Sequence, residues 1–525
     1  MNARQLVSDV TECELEGFLT HAEMAGHLVV KVGGTAMTDI MEKGKNSAVL
    51  AGIHELCSKF GKKVVFVVSA PGKYRNPLKI TGRLLKILEH YKQGTIDEGN
   101  VVLESLRDDH RSMITDVIAD ERKTQLLQAI ENEFIRLRDF LIMFRTEGVV
   151  LPPGLVLDFV AGFGEKIAAM ILAEIVNGTY VPLDATRVNS AGEDGQEKSL
   201  GAIIDEFSEK IAAALREDTN PLNIAPGFPG FLDGKGTLEE TGMGYSDFTA
   251  VMAAPENGCL ILFKQSGAIL QTNPRLLPSG TEISKIRIMP IRQAVRMTQI
   301  IGDQIQVIHP MALEVAQKKG LTLMVVDEMK PFSGGGTLIL PDQLYDEYQA
   351  EQASSQAVDK LPMIGVAEDA YETTLSFQTP AGERRQETAL QELRKRIIQA
   401  GGKIAHKEFC RDESDRPQIK IIVSGLEDSS KIGRGTITDV EDLHSTEKGF
   451  IIGISGIACP DLDTLAEKIV TIFGGKAKVF HKEKSEKLFS VGILVQEHLE
   501  PGQREEKLRQ IMELVNSHPL PVSSV

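Results

Sequence analysis

Two largely apolar segments constrain this chain most: "HLVVKVGGTAM" at 27–37 and "KKVVFVVSAPG" at 62–72. Neither alternates polar with apolar residues, and each breaks into a glycine turn. A strand without alternation is buried on both faces, as in a sheet covered by helices above and below. A helix expected over 45–60 connects the two, and strands joined through a helix pair in parallel. The same alternation continues through helix 163–177, strand 179–185, helix 203–216, strand 221–228, helix 245–254, strand 258–264, helix 310–318 and strand 321–327. The expected fold class is therefore α/β, a three-layer αβα arrangement around a mainly parallel central sheet.

Three stretches fall outside that alternation. Residues 1–26 carry Leu6, Val10, Leu15 and Phe18 at loosely helical spacing and read as a leading helix. Residues 83–147 read as helical, with Leu127, Ile130, Phe134, Leu137, Leu141 and Phe144 forming one apolar stripe, either core or a dimer seam. Residues 341–360 are polar and read as a linker closing the domain 27–340.

Beyond the linker lies a repeat. "QAGGKIAHKEF" (399–409) and "FGGKAKVFHKEK" (473–484) share GGK followed by HKE. An amphipathic helix precedes each, with Leu390, Leu393 and Ile397 in one and Leu465, Ile469 and Ile472 in the other. Short apolar strands flank both. Residues 361–525 thus read as two βαββαβ-like units, about 361–425 and 449–525. Each HKE histidine is read as a strand-end residue rather than a metal ligand.

Composition narrows the function. A formal charge of −16 argues against a nucleic-acid partner, whose footprint would be basic. No apolar run approaches the roughly 18 residues of a membrane span, and no secretory signal is visible at the start. Five cysteines at 13, 57, 259, 410 and 459 have no paired spacing, so reduced thiols in a cytoplasmic protein are expected. At 525 residues the chain is long enough for two to four domains.

Candidate chemistry sits in three places. In "KVGGT" (31–35) adjacent glycines at a strand end expose N–H groups to phosphate oxygens, with Lys31 placed to meet a transferring phosphoryl group. Lysine before a Gly-Gly turn is also commonplace. Glu165, in "FGEK" (163–166), is positioned either to complement a helix dipole or to hold a substrate ammonium. In "ETGMGYSDFTA" (240–250) a glycine-rich turn enters a helix whose first turn holds Ser246 and Asp247. Ser246 suits a plain N-cap, and Asp247 suits orienting Lys31 or holding Mg²⁺ through water.

The order of these elements resembles the aspartate kinases of the amino-acid kinase family. Lys31-Val-Gly-Gly-Thr35 is similar to the family's Lys-x-Gly-Gly-Thr, Val68-Ser69-Ala70 to Val-Ser-Ala, and Phe163-Gly164-Glu165 to Phe-Gly-Glu. Leu183-Asp184-Ala185 resembles Leu-Asp-Ala, and Gly227-Phe228-x-Gly230 resembles Gly-Phe-x-Gly. Gly242-x-Gly-x-Ser246-Asp247 resembles Gly-Arg-Gly-Gly-Ser-Asp, Asn273-Pro274-Arg275 resembles Asp-Pro-Arg, and His309-Pro310 resembles His-Pro. The resemblance implies an amino-acid kinase domain followed by paired ACT regulatory domains.

It also implies an activity and its residues. ATP with Mg²⁺ would phosphorylate a carboxylate, L-aspartate or a similar small acid, at the entry to aspartate-family amino-acid or ectoine synthesis. Lys31 and Asp247 would be catalytic. Ser69, Glu165 and Ser246 would bind the substrate. Gly33, Gly34, Thr35, Lys264 and Arg275 would lie on the nucleotide side. An amino-acid effector at the ACT units, near "SGIACPDLDTL" (455–465), and a homodimer are further expectations.

Departures from the pattern matter. Met243 stands where the family carries an arginine for a substrate carboxylate. Arg75, or in another register Thr81, is the candidate replacement on the opposite wall. Lys264 and Gln265 replace a Thr-Asp pair, with Lys264 similar to the ectoine-associated branch. Gln306 replaces a lysine, and Asp327-Glu328-Met329 replaces Lys-Asn-Thr. A kinase for a different small acid and a non-catalytic ligand sensor are the alternative readings.

Overall fold

The structure is a computed structural model. It describes residues 15–118, 120–146, 151–183, 188–189, 198, 200–217, 220–228, 232–233, 245–301, 308–333, 335–352, 363–377, 389–390, 392–393, 396–397, 403–411, 417–425, 440–445, 448–456, 461–474, 476–484, 489–497 and 499–517. The chain forms two compact units, one from residues 1–269 with 311–351, the other from 270–310 with 352–525.

The first unit holds the parallel sheet. Its strands are β1 (His27–Val32), β2 (Lys63–Val68), β3 (Thr179–Tyr180), β4 (Leu222–Pro226), β5 (Cys259–Lys264), β6 (Thr322–Asp327) and β7 (Thr337–Leu340). They run in the order β7-β6-β5-β1-β2-β4-β3. Every pairing is parallel except β6 with β7. In β1, β2 and β5 every residue from the second to the fifth is buried, Lys31 of β1 included, as strands covered on both faces require. Register brings their carboxyl ends level: Val32 lies opposite Val68 and Phe263, Val68 opposite Pro226, and Asp327 opposite Lys264. Open α/β sheets bind ligands at that edge.

Helices cover the sheet. They are α1 (Leu15–Ala25), α2 (Gly34–Lys43), α3 (Ala48–Lys59), α4 (Ile80–Gln93), α5 (Ile96–Val117), α6 (Asp120–Arg145), α7 (Pro153–Val176), α8 (Leu200–Glu217) and α9 (Tyr245–Ala253). The stripe expected within 83–147 is core: Ile130, Phe134, Leu137 and Leu141 of α6 are buried. Phe134 meets the Phe163 ring of α7 edge-on at 4.9 Å. Helix α7 begins at Pro153, well before the expected 163, because the apolar stretch ahead of Phe163 continues the helical face. Glu165 therefore sits mid-helix, where an end-of-helix dipole has no purchase. No helix among the described residues is long and apolar enough to cross a membrane.

Part of the expected linker is helical. Residues Asp342–Gln352 form a helix that belongs to the first unit up to Glu351, with Tyr345 and Tyr348 buried. The polar composition of the segment hid a two-residue apolar anchor.

The second unit contains helix α10 (Ile291–Ile301) and the strands β8 (Met363–Phe377), β9 (Lys403–Arg411), β10 (Pro417–Ser424), β11 (Val440–Ser445), β12 (Gly449–Gly456), β13 (Ala477–Lys484) and β14 (Phe489–Val495). Helices α11 (Leu462–Ile472) and α12 (Pro501–Ser517) complete it. Strand β8 serves both βαββαβ-like halves. Residues 363–370 pair with β12, while residues 371–377 pair with β10 and β11. The halves are thus nested on one long strand rather than strung end to end. The repeated HKE tripeptides occupy equivalent places on β9 and β13. In each strand the register slips just before the histidine, between Ile404 and His406 and between Val479 and His481. His481 Nε2 lies 2.8 Å from Ser490 Oγ, so it is a strand histidine paired within the sheet. At the proposed effector turn, Asp461 caps α11 through the Thr464 N–H at 3.0 Å; residues 457–460 lie outside the described residues.

Residues 270–310 belong to this second unit although the alternation of motifs runs straight through them. The reason is local burial. Leu277 joins the core formed by β12, β14, α11 and α12. Gln293, on α10, donates to the Ser455 carbonyl at 3.1 Å.

Candidate active site

The candidate site forms where β1, β2, β4, β5 and β6 end. After β1 the chain turns at Gly33 directly into α2, and no side chain caps that helix. The first intrahelical bond runs from Met37 N–H to Gly33 O, so the amides of residues 34–36 remain open to an anion. Gly34 is required sterically: a Cβ there would lie 2.7 Å from Ala70 O. The turn is tied to the loop after β2 by Gly72 N–H, which donates to Gly34 O at 3.0 Å and to Thr38 Oγ1 at 2.7 Å. Thr35 is exposed in the first turn of α2.

Two lysines converge on one aspartate behind this turn. Lys31 Nζ lies 2.9 Å from Asp247 Oδ1, and Lys264 Nζ lies 3.1 Å from Asp247 Oδ2. Lys31 and Asp247 are 7% and 6% exposed, so solvent screens this arrangement little. Burial alone would raise the Asp247 carboxyl, but Lys264 and Lys31 overwhelm it and hold the group well below the usual carboxylate range. Burial lowers Lys264 to about 8, Lys31 adding to the effect and Asp247 opposing it. One carboxylate thus holds two ammonium groups beside open backbone amides. That is an arrangement for gathering phosphate oxygens.

A second cluster lies on the β2–β4 side. Ser69 Oγ donates to Ser246 Oγ at 2.8 Å. Gly227, after β4, is pressed into the same spot, where a Cβ would lie 2.5 Å from Ser246 Cβ and 3.1 Å from Glu165 Oε2. Glu165 Oε2 is shut off from solvent and has no hydrogen-bond partner. Burial pushes the Glu165 carboxyl up to about 8, against Lys31 and the Ala70 N–H, which favour its charge. A buried carboxyl with an unused oxygen beside two serine hydroxyls is a complement for a small ammonium-bearing molecule.

The structure thus brings together Lys31, Gly33, Gly34, Asp247, Lys264, Ser69, Ser246 and Glu165. It places the other candidates elsewhere. Arg75 is more than half exposed and pairs with Asp116 of α5 at 2.9 Å. Its backbone is left-handed at φ 46°, a conformation uncommon outside glycine. Thr81 is half-buried in the first turn of α4. Arg275 is exposed in the second unit, where the Asn273 side chain accepts its N–H. Met243 and Gln306 lie outside the described residues. Sequence reasoning missed Thr38, whose hydroxyl joins the two loops; a threonine one helical turn after the glycines was the available signal.

An open parallel sheet whose strand ends present a glycine turn and a lysine-aspartate-lysine cluster defines an α/β protein built to hold phosphoryl groups. The sequence pattern described as the amino acid kinase family matches residues 27–327. The chain belongs to that family, and it is a kinase by that membership. Among solved structures it is similar to Escherichia coli aspartokinase III in complex with aspartate and ADP in the R-state, at 15% identity and a TM-score of 0.62, over 94% of this chain and 100% of that one. It is also similar to Clostridium acetobutylicum aspartate kinase, at 17% identity and a TM-score of 0.57, over 93% and 100%. A T-state structure of the E. coli enzyme with lysine and aspartate matches at 15% identity and a TM-score of 0.57, over 94% and 99%. The likeness extends through both units, so the fold is an αβα amino-acid kinase domain with C-terminal paired ACT-like domains.

Proposed function

We propose that this chain transfers the γ-phosphoryl group of ATP to a carboxylate of a small amino acid, with L-aspartate as the acceptor, forming an acyl phosphate. The carrying observation is the pairing of Lys31 and Lys264 on Asp247 within the same strand-end edge as Glu165, Ser69 and Ser246. The lysines and the open amides of 34–36 would hold the phosphates. The neutral serine pair would receive the acceptor's carboxylate. Glu165 would take its ammonium. A carboxylate is already nucleophilic, so the protein's work is positioning and charge stabilisation. Mg²⁺, when bound with the nucleotide, would neutralise phosphate charge.

Cells carrying such an activity would use it at the entry to aspartate-derived amino acids, with an amino-acid effector acting through the ACT-like units of a homodimer. The structures of similar proteins with aspartate, ADP and lysine support that reading. The test is purified protein with ATP, Mg²⁺ and L-aspartate, trapping acyl phosphate with hydroxylamine. Hydroxamate formed above a no-acceptor control supports the assignment; its absence while ADP still binds removes aspartate.

One observation favours a second acceptor. Met243 lacks the charge of the arginine at this position in the aspartate-kinase pattern that the sequence resembles, and Arg75 is already engaged with Asp116. A small amino acid without a second carboxylate in that place is the second reading, tested by the same trap with a panel of acids. Arg75 on this geometry anchors the loop that follows Ser69. Exposed ion pairs contribute little, so Arg75→Ala is expected to change urea stability by no more than ~1 kcal/mol. A rise in the acceptor KM at unchanged stability would instead mark Arg75 as a substrate contact.

A further inference from the structure

We propose that Glu328 is a protein ligand for the divalent cation that enters this site with a nucleotide. The inference rests on the nucleotide reading above and names a residue that reading does not use. Glu328 follows β6, and its N–H donates to Lys264 O at 3.3 Å, which holds it at the strand-end edge beside the lysine cluster. It is only 3% exposed. Its carboxylate makes no hydrogen bond and no ion pair among the described residues.

The charged groups around it are already engaged. Lys31, Lys264, Asp327 and Asp39 are the charges that act on it. Lys31 and Lys264 both sit on Asp247. Asp39 accepts from Ser47 Oγ at 2.6 Å and pairs with Lys43 at 2.5 Å. Asp327 Oδ1 accepts the Met329 N–H at 2.8 Å. Of the carboxylates Asp39, Asp327 and Glu328, only Glu328 neither accepts a hydrogen bond nor pairs with a lysine among the described residues.

A buried carboxylate without a partner is costly, and a proton or a cation offsets that cost. Phosphate oxygens drawn in by the two lysines would repel it. A divalent cation between the phosphates and Glu328 converts that repulsion into attraction. Mg²⁺ suits the site because it takes one or two carboxylates and fills the rest of its octahedron with phosphate oxygens and water. Among the described residues no group of three or more His, Cys, Asp or Glu could hold a metal by itself. A cation shared with the nucleotide is therefore the fitting form.

The experiment is isothermal titration of the full chain with ADP, in Mg²⁺ and in EDTA, for wild type, Glu328→Gln and Glu328→Asp. Wild type is expected to bind ADP more tightly with Mg²⁺. Losing an outer-shell partner of a metal ligand already costs about 10–100-fold in metal affinity, so Glu328→Gln is expected to lose at least ~10-fold of the Mg²⁺-dependent gain. Its affinity in EDTA should be equal or higher, since a like charge has gone. Glu328→Asp keeps the carboxylate and should retain part of the gain, which separates metal binding from a packing defect. An equal Mg²⁺-dependent gain in wild type and Glu328→Gln overturns the assignment while leaving the nucleotide site standing. Failure of wild type to bind ADP in either buffer overturns the nucleotide reading and this assignment with it.

Discussion

Lys31→Ala is expected to lower the rate of acyl-phosphate formation by at least ~10²–10³-fold, the loss typical of removing one preorganised donor from a developing negative charge. The hydroxylamine trap reads it directly. Two effects add to that expectation. Lys31 is buried, so its charge acts on a phosphoryl group through a medium that screens weakly. Its removal also leaves Asp247 with one lysine instead of two, and the remaining carboxylate charge would face incoming phosphates. Lys31→Arg is not expected to rescue, because a planar guanidinium cannot replace a point charge held on Asp247 close to Gly33, where a Cβ would lie 3.6 Å from Lys31 Nζ. Activity within tenfold of wild type in Lys31→Ala would remove Lys31 from the chemistry and leave Lys264 as the principal cation.

The second large effect is on the pH dependence of stability. Glu165 ionises near 4.5 when unfolded, and burial raises it to about 8 in the folded chain. Between those values the folded chain keeps a proton that the unfolded chain has lost. Stability therefore falls as pH rises through the window and levels off above about 8. The slope from one such group is at most ~1.4 kcal/mol per pH unit, so a few kcal/mol accumulate across the window. Glu165→Gln removes this contribution. The two proteins should have similar denaturant midpoints near pH 5, with the variant the more stable by pH 8. Only their difference isolates Glu165: Glu328, raised by burial to about 7, slopes the same way, and His110, buried and lowered to about 4, opposes below 6.5. Parallel curves for wild type and variant would show that the Glu165 carboxyl is already ionised. An ammonium-bearing acceptor should reverse the shift, so its binding near pH 6.5 should release a proton, read as a dependence of binding heat on the buffer.

The legible parts of this protein were those written in contiguous residues. Largely apolar runs at 28–32, broken only by Lys31, and at 64–68 predict strands covered on both faces, and those strands form the middle of the sheet. Adjacent glycines at 33 and 34 mark a turn where backbone must approach closely, and Gly34 has Ala70 O in the space of a side chain. The GGK–HKE repeat marks equivalent strands with equivalent slips in register. The start of α7 was misplaced because the residues before Phe163 are apolar enough for either a strand or a helix, and periodicity alone does not separate them over a short run.

What sequence by itself determined was the set of elements and the residue types at their ends: a lysine before two glycines, a serine after β2, a glutamate on an apolar helix, a serine and an aspartate opening α9. Which of these share a site was decided only in three dimensions. Lys31 and Lys264 are remote in sequence, yet β1 and β5 are neighbours, and register sets both against Asp247. Arg75 stands six residues from Ser69 but turns to Asp116 through a left-handed backbone. Residues 270–310 follow β5 without a break but bury Leu277 in the other unit's core. Local propensity acts over a few residues, whereas charge pairing and burial depend on distance through space, and only the folded chain sets those distances.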